Sequence, residues 1–181
     1  MNIHSIIPNN RVNGPGNRFV IWMQGCSLDC PGCWNPETHS FNSGNDISRN
    51  DLLALIKKEK NIEGITISGG EPFEQPIQLY KFTKHIRIHT SLSQIIYSGY
   101  TIEEIQKEKI MKSVLSNIDV LIDGRYNSLK SSKSGFIGST NQNHHFLTNR
   151  YSENDFKHQN RLEYHFLKDG TTTLSGFPTG I

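Results

Sequence analysis

The sequence predicts an α/β fold built on a parallel sheet with helices packed against it. Short apolar, β-branched runs alternate with segments whose apolar residues recur at helical spacing. Each run closes on a glycine- or cysteine-bearing loop, and a chain ordered strand, helix, strand is joined by right-handed crossovers. Near the C-terminus the pattern changes to two strand-like runs around a tight turn, which adds a β-hairpin extension.

Phe19 to Met23 is an unbroken apolar run and reads as a buried strand that leads straight into Gln24-Gly25-Cys26. Ser48 with Asp51 marks a helix start, and Leu52, Leu53, Leu55 and Ile56 carry the helix to Lys60. Ile65 to Ser68 predicts a strand ending at Gly69-Gly70, and Pro76 to about Ile88 a helix with Leu79, Phe82 and Ile86 on one face. Ile95 to Tyr97 predicts a strand ending at Ser98-Gly99, after which Thr101 and Glu104 cap a helix that breaks near Lys109. Val120 to Ile122 is a fourth strand, closing at Asp123-Gly124. Ser128 to Asn160 is rich in Ser, Asn, Lys and His with little periodicity and predicts loop structure or a mobile cover rather than core. Arg161 to Leu167 and Thr171 to Leu174 flank Lys168-Asp169-Gly170, the hairpin signal. In parallel sheets ligands collect beyond the carboxyl ends of the strands, so these strand-end loops are expected to surround one site.

A chain of 181 residues with 34% hydrophobic residues fits one compact folded domain. Its formal charge of +2 and lack of a Lys/Arg block argue against a nucleic-acid track. The cationic cluster Lys57 to Lys60 is interrupted by Glu59 and reads as a solvated helix face. Met1 to Pro8 lacks a secretion signal, and there is no apolar run of about 18 residues, so the expectation is a cytoplasmic protein without a membrane partner.

Cys26, Cys30 and Cys33 are the three cysteines of the chain, and they share one short segment. An odd, crowded set argues against a disulfide framework. Three thiolates at spacings of four and three residues suit a cuboidal iron–sulfur cluster held by one loop. Electron-transfer ferredoxins use four cysteines per cluster, so three leave one iron open to a substrate or cofactor. The competing reading is a zinc site completed by His39 or another histidine, although zinc loops usually present two separated pairs of ligands. His144-His145 reads as a packing element, since adjacent side chains seldom point at one metal.

The Cys26-x-x-x-Cys30-x-x-Cys33 loop after a strand, followed by Gly69-Gly70-Glu71-Pro72, resembles the radical S-adenosylmethionine (SAM) superfamily. More closely, the chain resembles the activating proteins of anaerobic (class III) ribonucleotide reductase. That likeness rests on Val12-Asn-Gly-Pro-Gly16, Gly25-Cys26, Cys30-Pro-Gly-Cys33, Ser68-Gly-Gly70, Ser98-Gly-Tyr100, Val120 to Gly124 and Gly138 to Gln142, in family order over residues 1 to about 147.

The resemblance implies a small partial (β/α) barrel-like core over residues 1–147, with 148–181 as an extension packed on or near it. It implies one 4Fe-4S cluster on Cys26, Cys30 and Cys33, whose open iron chelates SAM. The reduced cluster would pass one electron into the sulfonium, releasing methionine and a 5'-deoxyadenosyl radical. That radical would take a hydrogen atom from a glycine Cα of a partner glycyl radical enzyme, foremost anaerobic ribonucleotide reductase. A flavodoxin-like or ferredoxin-like donor would supply the electron. Gly69 and Gly70 would let backbone approach the methionine moiety, and Glu71 would fix its ammonium group. Many superfamily members place an aromatic residue before the third cysteine, where this chain has Gly32. Adenine would then lie along Gly32-Cys33-Trp34, with Trp34 as a stacking residue or a core or lid residue, and Asn35 would brace the loop. Asn13 to Gly16 reads as lining of the radical pocket, as a binding element for the partner's glycine loop, or as a simple turn, and Arg18 is equally open.

The tail after Thr148 extends past the resemblance, and Ile137 stands where the family commonly has a basic residue. A small radical SAM enzyme acting directly on a metabolite or peptide is therefore the second expectation. A non-catalytic zinc-binding interaction module is the third.

Overall fold

The four apolar runs become adjacent parallel strands because each is buried on both faces. In a computed structural model, which describes residues 1–166 and 170–178, these are β2 (Arg18–Met23), β4 (Gly64–Gly69), β5 (Ser93–Tyr97) and β6 (Val120–Asp123). The sheet has seven strands in the order β3-β1-β2-β4-β5-β6-β7, adding β1 (Asn2–Asn10), β3 (Asn45–Asp46) and β7 (Asn143–Phe146). The purely parallel sheet expected from the sequence is thus corrected to a mixed one: β1 runs antiparallel to β2, β3 to β1, and β7 to β6. A last hairpin, β8 (Leu162–Phe166) with β9 (Thr172–Gly176), forms a separate two-stranded sheet. The expected turn residues Lys168 and Asp169 lie outside the described residues.

Helices α1 (Arg49–Lys58), α2 (Pro76–His89), α3 (Ile102–Lys107) and α4 (Lys109–Leu115) follow the sequence pattern. The Ser48 hydroxyl accepts the Asp51 N–H at 3.1 Å, and Thr101 with Glu104 forms a capping box. Glu108 leaves helical geometry between α3 and α4, where the break near Lys109 was expected.

Alternation along the strands gives the sheet two different faces. Phe19, Ile21, Ile65, Ile67, Ile96 and Leu121 join the helix side chains Leu52, Ile56, Leu79, Phe82, Ile86 and Ile105 in the main core. On the opposite face Ile95, Val120 and Ile122 meet Phe136, Phe156 and Phe177, so the 128–160 segment, expected to lie outside the core, is corrected to one that supplies two buried aromatic rings to it. His144 belongs to this second layer, its ring 4.8 Å from Phe156 and its Nε2 2.7 Å from the Gly135 carbonyl. Among the described residues no helix is long and apolar enough to cross a membrane.

Candidate functional site

Arg18 opens β2 on the face away from the helices and is fully buried. Its Nε donates to Thr66 Oγ1 at 2.6 Å, and its Nη2 donates to the Ile65 carbonyl at 2.7 Å. Its Nη1 reaches the Pro15 carbonyl, Ser93 Oγ and Tyr151 Oη at 3.1–3.2 Å. The guanidinium is therefore a neutral-acceptor clasp, drawing the 13–16 loop, β4, β5 and the chain after β7 together, and burial lowers its pKa. This resolves the open reading of Arg18 in favour of architecture.

At the other end of β2 the chain enters the cysteine loop, which backbone hydrogen bonds hold on two sides. Gly25 N donates to the Thr38 carbonyl at 2.8 Å and Cys26 N to the His39 carbonyl at 3.1 Å, so the turn at Pro36–Thr38 carries one edge of the loop. Gly70 N donates to the Met23 carbonyl and Glu71 N to the Gly25 carbonyl, both at 2.9 Å, so the end of β4 carries the other. A Cβ on Gly69 would lie 2.4 Å from Met23 N, and one on Gly70 2.4 Å from Gly25 O. The room these glycines leave is filled by protein backbone, and that close approach brings the two loops together.

Cys26, Cys30, Cys33, Gly70, Ser98 and Gly124 line one cavity of about 250 Å³ at the carboxyl ends of β2, β4, β5 and β6. The expected residues Gly69, Glu71, Cys33 and Trp34 line it as well. Gly32 is not among the lining residues; its φ of +74° turns the loop, and a Cβ there would meet Ser128 at 3.2 Å.

Glu71 is 1% exposed and its carboxylate is already engaged. Phe73 N and Ser98 Oγ donate to one oxygen at 2.9 Å, and Gly99 N to the other at 2.7 Å. Burial nevertheless pushes its pKa up to about 7. Trp34 rests against Tyr126, 4.8 Å between ring centroids, and against Phe177 at 6.1 Å. Tyr97 faces the same cavity with its hydroxyl buried and, among the described residues, without a hydrogen-bond partner. Gln142 accepts from Gly138 N at 2.8 Å and donates to the Gly124 carbonyl at 3.1 Å, tying the Gly138–Gln142 segment to the end of β6.

Residues of the tail that the sequence placed in or beside a hairpin, but not at the site, complete the wall: Leu162, Leu174, Gly176 and Phe177 all face the cavity. Their hairpin is pinned to the start of the sheet by Ser175 Oγ, which accepts from Asn10 Nδ2 at 3.0 Å and Asn13 Nδ2 at 2.9 Å.

The three thiols are free and half-buried, and burial raises the pKa of Cys26 and Cys33, so a cationic partner is what would draw out their thiolates. Asn35 N points at Cys33 Sγ over 3.4 Å, the kind of contact that tunes cluster sulfur. Among the described residues no three His, Cys, Asp or Glu side chains gather closely enough to hold one metal ion. A four-iron cube takes each thiolate on a different iron, so three cysteines facing one cavity fit it without meeting at a point.

Three cysteine thiols on one loop, beyond the carboxyl ends of a sheet, suit a protein of the single-cluster iron–sulfur class. Residues 12–145 match the family described as 4Fe-4S single cluster domain. The chain is 33% identical over 159 residues to the anaerobic ribonucleoside-triphosphate reductase-activating protein of Escherichia coli (strain K12), covering 81% of this chain and 99% of that one. The protein of the same name from Enterobacteria phage T4 is 31% identical over 147 residues, 78% of this chain and 92% of the relative. The pyruvate formate-lyase-activating enzyme of Clostridium pasteurianum is 34% identical over 143 residues, 74% of this chain but 59% of the longer relative. The chain belongs to the radical SAM activating-enzyme family, in the branch of the anaerobic ribonucleoside-triphosphate reductase-activating proteins.

Proposed function

We propose that this chain generates a glycyl radical on an anaerobic ribonucleoside-triphosphate reductase, using SAM and one 4Fe-4S cluster held by Cys26, Cys30 and Cys33. The observation that carries the reading is the cavity itself, where the three thiols share one space with the loops after β4, β5 and β6. When bound and reduced, the cluster supplies the electron that cleaves SAM to methionine and a 5'-deoxyadenosyl radical. A partner glycine Cα would give up its hydrogen atom to that radical, leaving 5'-deoxyadenosine and the glycyl radical.

The chain's own residues hold this reaction in place. Gly70 and Ser98 bring backbone and hydroxyl groups to the cavity, where they would hold the methionine moiety of SAM. Glu71 keeps the β4 and β5 loops at fixed separation, and its role toward the SAM ammonium acts through that frame. Cys33 and Trp34 form the strip assigned to adenine, with Gly32 turning the loop beside them and Tyr126 and Phe177 fixing the indole. Residues 1–147 form the catalytic core in this reading, its sheet a small partial (β/α) barrel, and 148–181 the extension. The cytoplasm, which keeps thiols reduced, is its compartment, and a flavodoxin-like or ferredoxin-like protein its electron donor.

The test is anaerobic reconstitution, with iron and sulfide counted, followed by reduction and addition of SAM and the reductase of the same organism. 5'-Deoxyadenosine together with a glycyl radical in the electron paramagnetic resonance spectrum is expected. Deoxyadenosine without that signal transfers the site to a metabolite or peptide substrate, and bound zinc without SAM cleavage overturns the reading.

A further inference from the structure

The β8–β9 hairpin presents its faces in an unusual sense. Leu162, Tyr164 and Phe166 alternate onto one face of β8, and their partners across the ladder are Gly176, Leu174 and Thr172. The other face carries Glu163, His165, Thr173 and Ser175. It is this polar face that docks on the body, through Ser175 to Asn10 and Asn13 and through Glu163 Oε2, which accepts Arg11 N at 2.9 Å. The apolar face is left outward, with Tyr164 60%, Phe166 81% and Leu174 50% exposed.

This outward face is continuous with the cavity. Leu162, Leu174 and Gly176 line the cavity wall, and Tyr164 and Phe166 extend the same face beyond it. A two-stranded hairpin is marginal by itself, and the aromatic residues on its outward face bury little of their surface. The hairpin also lies beyond residues 12–145, the span matched to the family.

We infer that the apolar face of the β8–β9 hairpin is a docking surface for the glycine-bearing domain of the partner reductase. The inference rests on the proposed function: a protein substrate has to bring a glycine into this cavity, and the wall it enters along is the face that carries Tyr164 and Phe166. Aromatic side chains with large apolar area and few rotatable bonds are what protein interfaces use as anchors.

The experiment compares the reconstituted full chain with its Tyr164→Ser/Phe166→Ser double variant, titrating the reductase of the same organism and reading the glycyl radical. Ile88→Ser, which removes an exposed apolar residue at the end of α2, serves as the control. The double variant should raise the half-saturating reductase concentration about tenfold or more. Deoxyadenosine formation without reductase should stay unchanged, and the control should behave as wild type. An unchanged half-saturation in the double variant overturns the docking surface and leaves the activase reading intact. A wild-type chain that cleaves SAM but makes no glycyl radical at any reductase concentration removes both. A free chain that is dimeric as wild type and monomeric as the double variant gives the face to a second copy and overturns the inference. Hydrogen exchange of the wild-type chain needs no variant: added reductase should protect residues 162–166 and 172–176, and absence of protection there overturns the proposal.

Discussion

The backbone N–H of Gly99 donates to the Glu71 carboxylate at 2.7 Å, joining the loop after β4 to the loop after β5. Burial of that carboxylate raises its pKa from 4.5 to about 7, against the opposing pull of the donors Phe73, Gly99 and Ser98. Between those two values the folded chain holds a proton that the unfolded chain releases. The stability tied to Glu71 is therefore full below pH 4.5 and is lost as pH rises through about 7. Denaturant unfolding of the cluster-free chain and of Glu71→Gln, kept anaerobic, should show the wild type losing on the order of 3 kcal/mol relative to the variant across this window. A pH-independent difference would place the carboxyl in water.

Arg18 should be irreplaceable as a clasp. Arg18→Met leaves the Ile65 and Pro15 carbonyls and the Thr66 hydroxyl without their donor and should cost about 3 kcal/mol in urea unfolding. Arg18→Lys should recover part of that loss, because one ammonium cannot span both the Thr66 and the Ser93 sides. Equal stability of all three chains would refute the clasp.

Replacing any one of Cys26, Cys30 or Cys33 by Ser should abolish cluster retention and bring deoxyadenosine formation to background. The folded apo chain should survive, since the loop is held by backbone bonds to Thr38, His39, Gly70 and Glu71 rather than by the thiols. Removing iron from the wild type with a chelator should reproduce the loss, and reconstitution should reverse it. Full SAM cleavage in any single variant would take that cysteine out of the ligand set.

Gly176→Ala should loosen the tail selectively. Gly176 has φ +107°, and a Cβ there would lie 2.2 Å from the Arg161 carbonyl oxygen. The strain is on the order of 2 kcal/mol, enough to speed local opening roughly thirtyfold. Hydrogen exchange should quicken across the described part of residues 161–178 and stay unchanged in β4 and β5. Uniform acceleration would show that the hairpin opens only with the whole domain.

The parallel strands were legible because burial on both faces leaves an unbroken apolar run, as in Phe19 to Met23. β1 escaped this reading: its residues Asn2–Asn10 include Pro8 and four asparagine or histidine positions, and half-exposed strands near an edge need no apolar pattern. β7 escaped for the same reason, being a polar edge strand, Asn143–Phe146, whose partner ladder on β6 supplies its order. The loops after the strands could be foreseen as one site because parallel topology brings their ends together. The engagement of Glu71 by Ser98 and Gly99, 27 and 28 residues away, left no local trace.

The sequence by itself determined the α/β class, the helix caps and the cysteine loop, because these depend on side-chain type and spacing over a few residues. Only the tertiary structure decided that Gly69 and Gly70 make room for the backbone of Met23 and Gly25, that Arg18 is a buried clasp, and that the tail walls the cavity. Those outcomes are fixed by contacts between segments far apart in the chain, and hydrogen-bond geometry and close packing across such distances have no periodicity to read.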